Sequence, residues 1–244
     1  MKRLFKMAGT GYPVLGMALV VAASAGTVTA QELNTLSKKE KKQGWTLLFD
    51  GETTNGWHTY LKDEAGAAWT VSEGALAFDP EAGEGGDLVT DGEYENYELS
   101  LEWKISEGGN SGVIFNVHED PEYGATYVTG PEMQVLDNEK AHDNKEDDHL
   151  AGSLYDMVAV GRDVANPAGE WNQARLRLKD AHLTLWLNGT KTADVTIGSE
   201  EWKELLAASK FKDWEHFATY LKGRIALQDH GNKVWYRNIK IREL

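Results

Sequence analysis

The chain has 244 residues and 41% hydrophobic content, room for one β-rich domain with a sizeable core. Its formal net charge is −14; setting aside the first thirty residues, which hold three basic groups and no acid, leaves 22 basic against 39 acidic residues. A surface of that sign repels phosphate backbones and anionic lipids, which argues against nucleic-acid and membrane-surface partners, and the lack of any cysteine excludes disulfides, thiolate nucleophiles and cysteine metal sites.

The N-terminus is basic from Met1 to Lys6, then apolar and short from Val14 to Ala25, with small residues at Val28-Thr29-Ala30 before Gln31. This pattern predicts a secretory signal peptide over 1–30 rather than a bilayer span. An exported chain, periplasmic or extracellular in a bacterium, follows, with no membrane anchor after cleavage. With no cysteine after the apolar run, a lipoprotein is excluded. Residues 31–43 read as a polar leader, and 44–244 as the domain.

From Gly44 onward the pattern is β. Trp45–Phe49 is a short apolar strand ended by Asp50-Gly51. Tyr97, Leu99, Leu101 and Trp103 alternate with polar residues, the period of a half-buried antiparallel strand, and place Trp103 in the core. Val113, Phe115 and Val117 repeat that period. Further strands are predicted around Leu176–Leu178, Leu183–Leu187, Ile225–Leu227 and Val234–Ile241, with Asn188-Gly189 as a hairpin turn. One helix is predicted, over 199–209, capped by Ser199 and carrying Glu200 and Glu201 at its positive end, in an insertion that ends near Gly223. Many strands, 25 glycines and one helix indicate an all-β, two-sheet sandwich.

Four stretches could carry chemistry. In Pro131–Asp137, Glu132 and Gln134 share one strand face, and Met133 and Val135 the other. Asp137 falls on the face opposite Glu132 unless a β-bulge intervenes. Laminarinase-type glycosidases use Glu, Asp and Glu at this spacing; here the middle acid is Gln134 and the last is shortened to Asp137. Retaining chemistry needs two carboxyls about 5 Å apart, which this strand does not supply. His230, closing a strand ahead of Gly231, suits acid/base work or a metal. Asn110 and Ser111, after a Gly-Gly turn, offer donors and acceptors to sugar hydroxyls; the alternative is plain turn chemistry. The loop His142–His149 could hold a divalent ion or simply be solvated. Trp186, Trp57 and Trp235 are candidates for a stacking platform.

In order along the chain, GWTLLFDGETTNGW (44–57), GGNSGVIF (108–115), GPEMQVLDN (130–138), AGSLYD (151–156), GEWNQARL (169–176), LWLNG (185–189) and GRIALQDHGNKVWYRNIKIREL (223–244) resemble the 3-keto-disaccharide hydrolase domain family. The resemblance implies a concanavalin A-like jelly roll of two curved antiparallel sheets, with a sugar site on the concave one, acting on glycosides oxidised at C3. A C3 ketone acidifies C2–H, so a base can remove that proton, the C1 group departs, and water adds to the enone. Such a route needs one base, one acid and a group that polarises the ketone. On this reading Glu132 or His230 is the base and the other the acid. Asn110, Ser111, Gln134 and Gln228 contact hydroxyls or the ketone, Trp186 stacks, and Arg175 and Arg237 stabilise the enolate. The reading assigns no cofactor and leaves open a divalent cation, for which Asp137, Glu132 and His230 are the nearest candidates. The substrate is a small sugar or glycoside, and a separate C3-oxidising dehydrogenase acts upstream. Two other readings stay open: a non-catalytic lectin-like module, and a conventional endo-glucanase.

Overall fold

Each alternating strand has one apolar face to bury, and a second sheet supplies the surface that buries it. The computed structural model describes Met1 and residues 32–244; residues 2–31, over which a signal peptide is predicted, lie outside the described residues. In chain order the elements are α1 (Lys38–Lys42), β1 (Thr46–Leu47), β2 (Trp57–Thr59), β3 (Trp69–Ser72), β4 (Ala75–Phe78), β5 (Leu88–Thr90), β6 (Tyr97–Ile105) and β7 (Asn110–Val117). There follow β8 (Glu132–Leu136), β9 (Asn172–Lys179), β10 (His182–Leu187), β11 (Thr190–Thr196), α2 (Glu200–Ala208), β12 (Arg224–Leu227) and β13 (Val234–Glu243). The large sheet runs β11-β10-β9-β6-β13-β4-β3, with β1 also on β13, and the small one β2-β5-β12-β7-β8. Every pairing is antiparallel. This is the predicted all-β sandwich.

The core lies between the sheets. Tyr97, Leu99, Leu101 and Trp103 of β6, with Leu176, Leu178, Leu183 and Leu185, face Val113, Phe115, Met133, Val135, Ile225 and Leu227 of the small sheet. Each such side chain contributes roughly 1.5–3 kcal/mol by leaving water. Trp103 is fully buried, as its stripe predicts.

Asn116 breaks the alternation of β7. Its φ of 57° is left-handed, and the β7–β12 register shifts across Arg224/Ala226. The extra residue turns Val117 to the side of Ile114, where both pack with Val89, Ala226 and Tyr60 in a separate apolar cluster. The small sheet is therefore covered on both faces.

The predicted helix forms as α2, capped by Ser199, whose hydroxyl accepts from the Trp202 N–H (3.1 Å), with Trp202 buried. The polar stretch before Gly44 is tied to the sandwich. Asn34 and Asn238 exchange backbone–side-chain hydrogen bonds (2.7 and 2.8 Å), and α1 carries a Ser37/Glu40 capping box.

Candidate active site

Strands β7 and β8 and the end of β12 place one group of polar residues on the outer face of the small sheet. Glu132 and Gln134 project from β8, opposite the core residues Met133 and Val135, and Gln228 follows β12. Gly112 pairs with Gln134 in register. Because Gly112 has no side chain, the Glu132 carboxyl can lie over it; a Cβ there would stand 2.0 Å from Glu132 Oε1. Gln228 Nε2 donates to Glu132 Oε2 in a long contact (3.5 Å).

Three sequence-distant segments wall this floor into a cavity of about 340 Å3. Residues 150–156 run along the free edge of β8: the Gly152 N–H donates to the Gln134 carbonyl (2.8 Å) and the Tyr155 N–H to that of Glu132 (3.0 Å), setting the Tyr155 ring beside the carboxyl. The insertion after α2 brings Lys210, Phe211 and Trp214. It is fastened by the Ala218 N–H to the Thr129 carbonyl (2.8 Å) and the Lys210 N–H to Asp156 Oδ2 (2.5 Å), and Phe211 stacks on Phe217 at 4.0 Å. Tyr127, from the short 3-10 turn Thr126–Val128, packs near Trp214 (6.0 Å).

The acidic loop is ordered by its own histidine. His149 bridges Asp143 (3.0 Å) and Asp156 (3.1 Å), and the Tyr155 hydroxyl donates to Asp143 (2.9 Å). Burial opposes the His149 cation, but the two carboxylates outweigh it and hold its pKa above the ordinary value. Lys210 Nζ lies 4.1 Å from the Tyr155 ring centroid.

Burial pushes the Glu132 carboxyl up to about 8. Lys210 pulls it down, Asp87 and Asp143 push it further up, and the Gln228 hydrogen bond favours the ionised form. Burial also raises Asp87, against the hydroxyl of Thr126 and the N–H of Asp229 (2.8 Å), which favour its ionised form. Two buried acceptors, Asn110 Oδ1 and Gln228 Oε1, have no protein partner among the described residues. Leaving them so costs stability, and both line the cavity, where hydroxyl donors would satisfy them.

Of the residues singled out in the sequence, Glu132, His230, Asn110, Gln134 and Gln228 meet at this cavity, with His230 at its exposed rim. Ser111 does not. Alternation turns it into the space between the sheets, where its hydroxyl donates to the Gln228 carbonyl (2.7 Å) and pairs with the Tyr236 hydroxyl (2.8 Å). Arg175, Trp186 and Arg237 lie on the outer face of the large sheet, across the sandwich. There Arg175 pairs with Glu98 and covers Trp186 (4.4 Å), and Arg237 pairs with Glu102 (2.7 Å) and covers Trp171 (3.8 Å). Trp57 is buried, and Trp235 lies under Lys104 (4.6 Å). Asp137 is not with Glu132 either; its carboxylate accepts from the N–H groups of Gly108 (2.7 Å) and Glu139 (3.1 Å) and pins the turn into β7. Asp137, Glu132 and His230 therefore form no cation site, and no group of three or more His, Asp or Glu among the described residues is placed to hold a metal.

Tyr127, Tyr155, Lys210, Phe211, Trp214 and the supporting Asp87 escape a sequence reading. Only Tyr155 carries a signal, because it falls inside the AGSLYD block. The others sit in segments without periodicity.

Residues 44–242 match the profile of a family described as 3-keto-alpha-glucoside-1,2-lyase-like domain. The chain is 32% identical over 266 aligned residues to a 3-keto-disaccharide hydrolase of Bacteroides thetaiotaomicron, covering 98% of this chain and 92% of that protein. It is similar to a solved Parabacteroides distasonis structure, provisionally described as a glycosyl hydrolase, with TM-score 0.80 and 34% identity over 87% of this chain and 100% of that one. A second such structure from the same organism gives TM-score 0.61 and 26% identity, covering 82% and 99%.

Proposed function

The chain belongs to the 3-keto-alpha-glucoside-1,2-lyase-like domain family, and on that premise we propose that it hydrolyses 3-keto-glycosides by removing the proton at C2. The observation that carries this reading is Glu132, the one carboxylate among the residues lining the cavity, buried and with its pKa at about 8. An ordinary carboxylate is a feeble base toward carbon; burial destabilises the ionised form, which makes it a stronger base and brings its pKa near the working pH.

Glu132 takes the C2 proton, and the electron pair moves onto the C3 ketone oxygen as an enolate. The ketone reforms as C1=C2 closes and the C1–O bond breaks, with His230 at the rim giving its proton to the departing oxygen. Water then adds to C1, and C2 is reprotonated. The net change is one 3-keto-glycoside and one water to one 3-keto-sugar and one alcohol. Lys210 takes the enolate-stabilising role, as the lysine or arginine that reaches the cavity. Asn110 Oδ1 and Gln228 Oε1 accept sugar hydroxyls. Gln134 Oε1 is taken by the Val135 N–H (2.9 Å), which leaves its amide NH2 to donate.

Double displacement or inversion needs a second carboxyl within about 5–10 Å that faces the same bond. Asp87 is engaged by Thr126 and Asp229, and neither it nor Asp143 lines the cavity. A substrate already oxidised at C3 calls for a C3-oxidising dehydrogenase upstream, and the N-terminal pattern for export to the periplasm or beyond.

The test compares a 3-keto-disaccharide with its unmodified parent. The keto form is cleaved, deuterium enters C2 in D2O, and Glu132→Gln slows both to a small residual rate. Equal cleavage of the parent sugar would sink the reading, and sugar binding without turnover would return the lectin-like alternative.

A further inference from the structure

A second cavity, of about 310 Å3, adjoins the first, and the two share Asn110, Tyr155 and His230. Glu132 lines only the first; His142, Asp143 and Asn232 line only the second. The base therefore stands on one side of the shared row, and the proton donor to the departing oxygen stands in it. The bond that breaks must cross that row, so the departing group occupies the second cavity. We propose that this cavity is a leaving-group subsite that selects a neutral sugar, an inference that rests on the function proposed above.

The chemistry of its lining carries the choice of ligand. Asp143 offers a carboxylate whose position is set by His149 (3.0 Å) and the Tyr155 hydroxyl (2.9 Å), an acceptor suited to hydroxyl donors. Asn232 Oδ1 accepts from the Asn110 N–H (3.1 Å), which leaves its amide NH2 to donate. His142 is exposed at the mouth. Every side chain lining it carries a polar group, whereas the first cavity adds the apolar rings of Phe211 and Trp214. An aryl or alkyl group would leave the Asp143 carboxylate and the Asn232 amide poorly matched. A uronate would meet Asp143 and the chain's net charge of −14. Each cavity is of a size for one pyranose ring.

The experiment measures kcat/KM for a 3-keto-disaccharide with a neutral leaving hexose and for the corresponding methyl 3-keto-glycoside. Wild type prefers the disaccharide by tenfold or more. His142→Ala and, separately, Asn232→Ala lower that ratio about tenfold, mainly through KM, and free hexose competes with the disaccharide. A wild-type ratio near one, or a ratio unmoved in both variants, overturns the subsite while leaving the proposed reaction standing. Failure of wild type to cleave either keto-substrate overturns both.

Discussion

Gly112→Ala tests the site at its tightest point. A Cβ at this position would lie 2.0 Å from Oε1, 2.5 Å from Cδ and 2.8 Å from Cγ of Glu132. Ordinary van der Waals contact begins at 3.4 Å, so the carboxyl oxygen must retreat by about 1.4 Å. The Gly112 backbone is not left-handed, so alanine brings no φ strain, and the whole effect falls on the side chain above it. A displacement of about 1 Å at a reacting group costs on the order of 10²-fold in rate, or ~2.7 kcal/mol of transition-state stabilisation. The expected result is a loss of about that size in kcat/KM on a 3-keto-glycoside, with C2 exchange slowed in parallel. The Gly112→Ala/Glu132→Gln double variant should be no slower than Glu132→Gln alone. Kinetics, exchange into D2O followed by NMR, and thermal unfolding to confirm an intact fold make up the assay. Wild-type turnover in a folded Gly112→Ala protein would refute the placement of Glu132 as the base.

The raised Glu132 pKa fixes two signs. As a base it works when ionised, so kcat/KM should climb with pH toward a limb near 8, a limb absent from the residual activity of Glu132→Gln. For stability, a carboxyl that holds its proton more tightly when folded than at its ordinary 4.5 contributes fully below about 4.5, and this is lost as pH rises through 8. The slope is up to about 1.4 kcal/mol per pH unit, and Glu132→Gln, followed by thermal melts from pH 5 to 9, should flatten that dependence. Lys210→Met removes the charge that favours the Glu132 carboxylate and the enolate. The limb should move above 8 and kcat should fall about 10²-fold; an unmoved limb would exclude Lys210 from the site. Ser111→Ala should cost about 1–3 kcal/mol in denaturant unfolding, because it strips a partner from the buried Tyr236 hydroxyl, yet should keep turnover. Arg237→Ala, on the far face, should leave kcat/KM unchanged.

Burying Glu132 is itself costly, and the cavity shows how the fold sustains it. Gly112 makes the room, Lys210 supplies a compensating charge, and the β7 bulge at Asn116 turns Val117 outward to extend the apolar cluster on the same face of the sheet. A carboxyl in such surroundings loses stability for the fold and gains strength as a base, the exchange expected of a catalytic group.

Alternation is a local property, so the sequence alone determines the β class, the burial of Trp103, the capped helix after Ser199 and the shared face of Glu132 and Gln134. The same alternation sets Ser111 on the opposite face from Asn110, although a glycine-rich strand mouth invites reading the two as a pair. Period two tells which side chains share a face. It does not tell which face of which sheet meets solvent, core or a covering loop. That is why Arg175 and Arg237, correct in charge for an enolate, lie across the sandwich, and why Lys210, in a stretch with no periodicity, reaches the cavity instead. The carboxyl's pKa likewise depends on groups far from it in sequence, Asp87 on one side and Lys210 on the other, so only the tertiary structure, by bringing them around one buried side chain, could decide what kind of acid Glu132 is.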